Sequence, residues 1–266
     1  TTFHGTYNFN NFIKKYYNSI MVRGDRVIAI SHFIKNHIRQ HYSKWIHEDK
    51  IRLIHRGVDI DYFNPACVDS SIQEALKKEW RLPPQEPVFL MPGRLTRWKG
   101  QEAVIKMLTA LPKGVVVFLG SDQGRTEYSQ QLKTLALSLG ISERVRFIDS
   151  CPTMREAYGL STVVLHASTD PEGFGRVIAE AQAMGKPILT SIHGAGREII
   201  LDKTGWLIDP NNIDDMVNTL NHVLTLSPTV LSALQQKARN RVIENFSRDL
   251  MMEKTLEVYK ELLTHS

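Results

Sequence analysis

Cysteine is scarce in this 266-residue chain. Cys67 and Cys151 stand far apart and form no Cys-x-x-Cys pair, so no disulfide framework or thiolate zinc site is written into it. That usage fits a reducing, cytosolic compartment. No apolar run approaches the roughly 20 residues of a membrane span. No Gly-x-Gly-x-x-Gly opens a helix, which argues against a dinucleotide-dependent dehydrogenase. No Ser or Cys occupies a nucleophile-elbow pattern. Zinc-finger, RRM-like and basic-zipper patterns are missing, which disfavours nucleic acid as a partner. His37 and His41 lie four apart on a helical stretch, but no third ligand is nearby, so a partly exposed helical pair is expected rather than zinc. The chain starts at Thr1 with no methionine and no signal sequence. Thr1 to Tyr7 reads as a strand end running into a loop, as though the chain begins inside a domain.

The length allows one large or two modest domains with a real core. Charge is uneven: residues 1–62 hold ten Lys/Arg against five Asp/Glu, so the whole excess of +5 sits there. Such a segment suits an anionic membrane surface or a phosphorylated acceptor, or is simply a solvated basic face. Short strands are expected at Arg26–Ser31 and Ile51–Ile54. Helical patterns run from Phe12 to Met21 and, behind Ser31 as N-cap, from Phe33 to Tyr42. The turn-rich Arg56-to-Pro65 segment reads as a linker.

From Val88 the alternation is regular. Apolar strands at Val88–Met91, Val115–Leu119, Val145–Ile148, Val163–Ala167, Ile188–Thr190 and Trp206–Ile208 are separated by helical patterns. Strict alternation means parallel βαβ units and a doubly wound sheet, whose ligands bind at the carboxyl ends of the strands. Closing helices are expected over Val217–Leu226, Leu231–Val242 and Leu250–Leu263.

Two loops at such strand ends can carry chemistry. Asp170-Pro171-Glu172-Gly173-Phe174-Gly175-Arg176 follows the Val163 strand and opens a small-residue helix that stops at Gly185-Lys186-Pro187. First-turn amides of such a helix form an anion site, and Glu172 and Glu180 could each accept two sugar hydroxyls. The plainer reading is a capped helix with a solvated Glu180. Gly93-Arg94-Leu95-Thr96-Arg97-Trp98-Lys99-Gly100 follows the Val88 strand. Arg94 can fork onto phosphate and Lys99 adds a point charge; alone, this could be a polar loop with surface cations.

Glu172 and Glu180, with seven residues between them, resemble the Glu-x7-Glu motif of retaining glycosyltransferases of family 4, which have the GT-B fold. The Gly93–Gly100 loop is similar to the family's Gly-Arg-Leu-x-x-x-Lys-Gly at every fixed position. The resemblance covers nearly the whole chain, most closely 88–210. It implies an α/β, GT-B-type architecture: a doubly wound, Rossmann-like sugar-donor domain plus a partial second Rossmann-like domain. Residues 1–62 would be the remainder of the amino-terminal, acceptor-side domain and linker. Residues 63–246 would bind the nucleotide sugar. Residues 247–266, with Ser247 and Tyr259, would form a helix packing back on the first domain.

The activity so implied is transfer of a sugar, with retention, from a nucleotide-diphosphate sugar to an acceptor hydroxyl. No cofactor and no metal are expected. The acceptor would be a glycan or lipid-linked molecule, in lipopolysaccharide or other cell-envelope synthesis. The setting would be cytoplasmic, at the inner face of the membrane, with peripheral contact to anionic lipid. A nucleotide-sugar-binding fragment without catalysis, and a soluble sugar-phosphate synthase or epimerase of the same fold, stay open.

By the same resemblance Glu172 would bond hydroxyls of the donor sugar and Glu180 the ribose. Backbone amides at Gly173, Phe174 and Gly175 would face the sugar and distal phosphate. Arg94 and Lys99, in the loop opened by Gly93, would stabilise the departing diphosphate. His4, of His4-Gly5, would approach the sugar across the cleft. The Phe147–Met154 stretch, with Ile148 and Met154, is expected to line the base pocket. Glu198 matches the family's Gly-Gly-x-x-Glu segment loosely. Arg176 departs from an expected apolar residue and should point to solvent. Asp59-Ile60-Asp61 spells the Asp-x-Asp of metal-dependent glycosyltransferases but falls in the linker turn.

Overall fold

The computed structural model describes residues 1–7 and 11–264, so His265 and Ser266 of the expected final helix lie outside the described residues. The chain opens with β1 (Thr2–Phe3), α1 (Phe12–Asn18), β2 (Val27–Ala29), α2 (His32–Tyr42) and β3 (Ile51–Leu53). After α3 (Ser70–Glu79) come β4 (Val88–Pro92), α4 (Gln101–Thr109), β5 (Val115–Leu119), α5 (Thr126–Ser138), β6 (Val145–Ile148), α6 (Met154–Leu160) and β7 (Val163–His166). The remainder is α7 (Arg176–Ala183), β8 (Ile188–Ser191), α8 (Gly196–Ile199), β9 (Trp206–Ile208), α9 (Ile213–Leu224), α10 (Pro228–Asn245) and α11 (Arg248–Thr264).

Two parallel sheets result, of three strands in order β1-β2-β3 and six in order β6-β5-β4-β7-β8-β9. Together they make a GT-B-type α/β fold. The large sheet is apolar on both faces, as a parallel sheet covered on both sides must be. Phe89, Met91, Val116, Phe118 and Leu165 enter one core with α4, α5 and α9. Leu90, Val117 and Val164 enter the other, which runs on without interruption into Phe3, Ile34, Ile38 and Tyr42 of the small sheet.

Helix ends differ from the apolar pattern where capping decides them. Asn212 accepts from the Asp215 amide, so α9 begins four residues before Val217. Ser227 caps α10 with Pro228 at its first position, where proline costs nothing. The Phe12–Met21 stretch is α-helical only to Asn18 and then tightens to a 3₁₀ turn over Ser19–Val22.

The halves are joined at several points. The Val58 amide donates to the Phe246 carbonyl (2.8 Å), and the Arg248 amide donates back to Val58 (2.8 Å). Glu261 on α11 pairs with Arg26 and Arg52 of the small sheet. Among the described residues, no helix is long and apolar enough to cross a membrane.

Candidate functional site: a carboxylate at the strand-order reversal

Strand order reverses between β4 and β7, the place where an open parallel sheet leaves a crevice. Both motif loops emerge there. Their backbones touch: the Thr169 amide donates to the Trp98 carbonyl (2.8 Å). Gly100 adopts φ +80°, and a Cβ there would collide with the Ala167 carbonyl, so the Lys99 loop can lie against the end of β7 only with glycine at 100.

This approach delivers Lys99 to Glu172. The Lys99 ammonium donates to Glu172 Oε1. Ser168 Oγ donates to the same oxygen at 2.7 Å, and His166 Nε2 lies 2.9 Å from it. Oε2 takes no hydrogen bond among the described residues. Burial pushes the Glu172 carboxyl up, but His166 and Lys99 outweigh it and hold the group well below the ordinary carboxylate range. Glu172 is therefore an ionised acceptor with one oxygen fixed and one free.

The loop carrying it is braced from both sides. The Ala195 amide donates to the Glu172 carbonyl (3.0 Å), and Ser31 Oγ donates to the Gly173 carbonyl (2.6 Å). A Cβ on Gly173 would stand 2.7 Å from the His4 carbonyl oxygen. Gly175 then starts α7 without a side-chain cap and with no acidic residue in the first turn. That leaves the helix's positive end available to an anion.

A cleft of about 460 Å³ lies over this point, walled by His4, Arg56, Lys99, Glu172, Phe174 and Arg176. His4 Nδ1 is 3.1 Å from Arg56 Nη1. Burial and the Arg56 charge lower the pKa of His4. His4, Lys99, Glu172, Gly173, Phe174 and Gly175 are thus brought together.

The other expected residues are placed differently. Arg94 is exposed at the end of β4, its Nη1 donating to Gln123 Oε1 (3.3 Å), and the Gly93 amide is tied to the Leu119 carbonyl (2.9 Å). Ile148 and Met154 flank the loop beyond β6, both packed against the core. Glu180 is buried, with one oxygen taken by Tyr158 (2.8 Å) and the other by Arg176 (3.0 Å). Burial raises its pKa against those two bonds, so it is not the solvated carboxylate of the plainer reading. Arg176 is largely exposed as expected, yet one nitrogen reaches Glu180.

Two expectations need correction. Glu198 does not reach this cleft. Its carboxylate accepts from the His32 (2.8 Å) and Phe33 (2.6 Å) amides, with His55 Nε2 at 3.4 Å. It thereby caps α2, whose own first turn holds no acidic residue. His37 is buried, not partly exposed; burial and its neighbour His41 push it down to about 4. Asp59 does lie in the linker turn, held by Arg248 (2.6 Å) and by the Tyr62 amide (3.0 Å), which makes it a joint between linker and α11. Among the described residues no group of three or more His, Cys, Asp or Glu is arranged to hold a metal ion.

Sequence reasoning missed His166, Ser168, Arg56 and Tyr158. A histidine inside an apolar strand was the available signal, because a buried ring must find partners.

Residues 72–246 match the family described as Glycosyl transferases group 1, and residues 1–62 match Glycosyltransferase Family 4. The chain belongs to the group 1 glycosyl transferases. It is 35% identical over 166 residues to a D-inositol 3-phosphate glycosyltransferase of Xylanimonas cellulosilytica, covering 60% of this chain and 40% of that protein. It is 31% identical to the protein of the same name in Mycolicibacterium smegmatis, covering 69% and 42%. The chain thus spans about two-fifths of the length of these relatives. A glycosyltransferase from Rickettsia africae superposes with a TM-score of 0.92 at 36% identity, covering 100% of this chain and 71% of that one. An Anabaena protein crystallised with UDP and glucose superposes at 0.87 with 22% identity, which shows the fold alone.

Proposed function

We propose that this chain holds the sugar-donor site of a retaining glycosyltransferase that moves a hexose from a nucleotide-diphosphate sugar to an acceptor hydroxyl. The observation that carries it is the ionised Glu172, with Oε1 pinned and Oε2 free, beside Lys99 and the uncapped start of α7 in one cleft. Glu172 would accept from hydroxyls of the sugar. Lys99, Arg94 and the amides after Gly173 would meet the diphosphate without a metal. Glu180 would turn to the ribose by giving up Arg176, its exposed partner. Residues 63–246 would form the nucleotide-sugar-binding unit, and 247–266 the helix returning to the acceptor-side residues 1–62.

In the reaction the C1–O bond to the diphosphate breaks through an oxocarbenium-like state. The acceptor oxygen attaches to C1 on the same face, and its proton passes to the departing diphosphate. Positive groups fixed around that leaving charge lower the barrier. The small half adds Arg56 and a basic surface on which Phe12, Ile13 and Tyr17 stand exposed beside Lys14 and Lys15. These support a lipid-linked acceptor or an envelope glycan such as lipopolysaccharide, met at the inner face of an anionic membrane. A nucleotide-sugar binder without catalysis is the second reading, favoured by the short span against the relatives.

Calorimetric titration with UDP-glucose, UDP-N-acetylglucosamine, GDP-mannose and ADP-glucose, without metal, tests the site. One of them should bind, and Lys99→Ala should abolish it. Binding without release of nucleoside diphosphate in the presence of acceptors would favour the second reading. Binding of none would reject both.

A further inference from the structure

His166 is a buried titratable side chain to which the reading above assigns no task. It ends β7 with only 3% of its side chain exposed. Nε2 lies 2.9 Å from Glu172 Oε1, and Nδ1 lies 2.9 Å from the hydroxyl of Thr190. Thr190 is fully buried on β8, and the β7–β8 register places it directly beside His166. The contact is therefore built into the sheet and does not depend on a mobile loop.

The hydrogen-bond logic selects one arrangement. With the proton on Nδ1, Nε2 would turn a lone pair toward a carboxylate oxygen. With both nitrogens protonated, Nδ1 would donate to Thr190 and leave that buried hydroxyl's own proton without an acceptor among the described residues. With the proton on Nε2, the Thr190 hydroxyl donates to Nδ1 and the ring donates to Glu172, and every polar atom in the chain is satisfied. Ser168 and Lys99 complete three donors on Oε1.

Direction is what the ring adds. Glu172 stands in a loop and its carboxylate hangs on a side chain with three rotatable bonds. An ammonium on a flexible stem supplies charge but little orientation, whereas an imidazole anchored at its far nitrogen is fixed in plane and angle. We propose that His166, set by Thr190, is the positioning residue for Glu172. It locks Oε1 so that Oε2 is presented to a hydroxyl of the hexose in a nucleotide-diphosphate sugar. This rests on the sugar-donor reading of the cleft. It predicts a selective defect, because the nucleotide and its phosphates do not depend on the aim of Glu172 but the sugar does.

The test compares UDP with UDP-glucose, and GDP with GDP-mannose, on the full chain by calorimetry. In the wild type at least one nucleotide sugar should bind. His166→Ala should raise its dissociation constant about tenfold, the size of one lost hydrogen bond to a charged group, and leave the matching nucleoside diphosphate unchanged. His166→Gln, whose amide nitrogen can donate in place of Nε2, should recover most of the loss. Thr190→Val should show a smaller loss of about threefold, from the freed ring. Nitrogen-15 NMR of the wild-type ring should show the Nε2–H tautomer, a readout that survives even if the alanine variant does not fold. Equal weakening of nucleotide and nucleotide sugar, unchanged sugar binding in His166→Ala, or an Nδ1–H ring would overturn the positioning role and leave the site standing. Wild-type binding of none of UDP-glucose, UDP-N-acetylglucosamine, GDP-mannose and ADP-glucose would remove the site reading, and this inference with it.

Discussion

The two sheets use their apolar residues in opposite ways. The six-stranded sheet buries both faces, with Phe89 and Leu165 on one side and Leu90 and Val164 on the other. The three-stranded half has a core in Phe3, Ile34, Ile38 and Tyr42, yet leaves Phe12, Ile13 and Tyr17 of α1 more than 70% exposed. Charge divides along the same line, since the net excess of +5 lies within residues 1–62. The difference separates two tasks. The large half supplies Glu172 and every donor that fixes it. The small half closes the cleft with the His4 carbonyl lying against Gly173, the Ser31 hydroxyl bonded to the Gly173 carbonyl, and the side chains of His4 and Arg56.

The largest expected effect lies in the large half. Glu172→Ala should cut release of nucleoside diphosphate from a nucleotide sugar about a hundredfold or more, because an oriented charge near the reacting sugar is lost. Arg56→Ala, from the small half, should cost about tenfold or less. Equal losses, measured under the same conditions, would break the comparison.

Glu180→Ala addresses packing within the large half. It strands the Tyr158 hydroxyl, which is fully buried and donates to Glu180. A loss of about 1–3 kcal/mol is expected, read by calorimetry as a melting temperature lower by a few degrees. An unchanged melting temperature would show that the pair is held for another reason.

Glu198→Gln acts on the seam. It weakens a charge-assisted cap on α2 and should cost about 1 kcal/mol. Hydrogen exchange should show it first at the opening turn of α2; uniform protection would contradict the seam assignment. The smallest effect concerns α11. Hydrogen bonds from Arg52 and then Arg26 hold the Glu261 carboxyl down to about 2, from an ordinary 4.5. A depressed carboxylate contributes in full above its unfolded value and loses that contribution as pH falls through the folded one. Protection along α11, taken relative to the intrinsic exchange rate at each pH, should therefore fall between about pH 4.5 and 2. Exposure and salt screening keep the effect slight, so a large change there would mean the returning helix matters more than described.

Much of this was readable in the residues, for physical reasons. Strand and helix alternation from Val88 onward is a local pattern, and the carboxyl ends of strands follow from it, so Glu172, Lys99 and Gly93–Gly100 could be put on one rim. Strand neighbours are not local. Nothing in the Ile188–Ser191 run says that Thr190 lies against His166, or that the Glu198 carboxylate meets an α2 amide 166 positions away in the chain. His166 itself disappears in an apolar run, where alternation marks burial but not partners. His37 misled for the opposite reason: a histidine pair on a polar-looking helix suggested exposure, while Phe3 and Tyr42 enclose it. Helix starts at Ile213 and Pro228 were hidden because caps, not apolar spacing, set them.

The central claim is that a nucleotide sugar sits where β4 and β7 part. Hydrogen exchange of the full chain, with and without whichever of UDP-glucose or GDP-mannose binds, tests it most directly. Protection should appear at Gly173–Val177 and along Gly93–Gly100, with little change in the groove beside α10 formed by Gln236, Asn240 and Arg241. Protection confined to that groove, or to the small sheet, would contradict the claim.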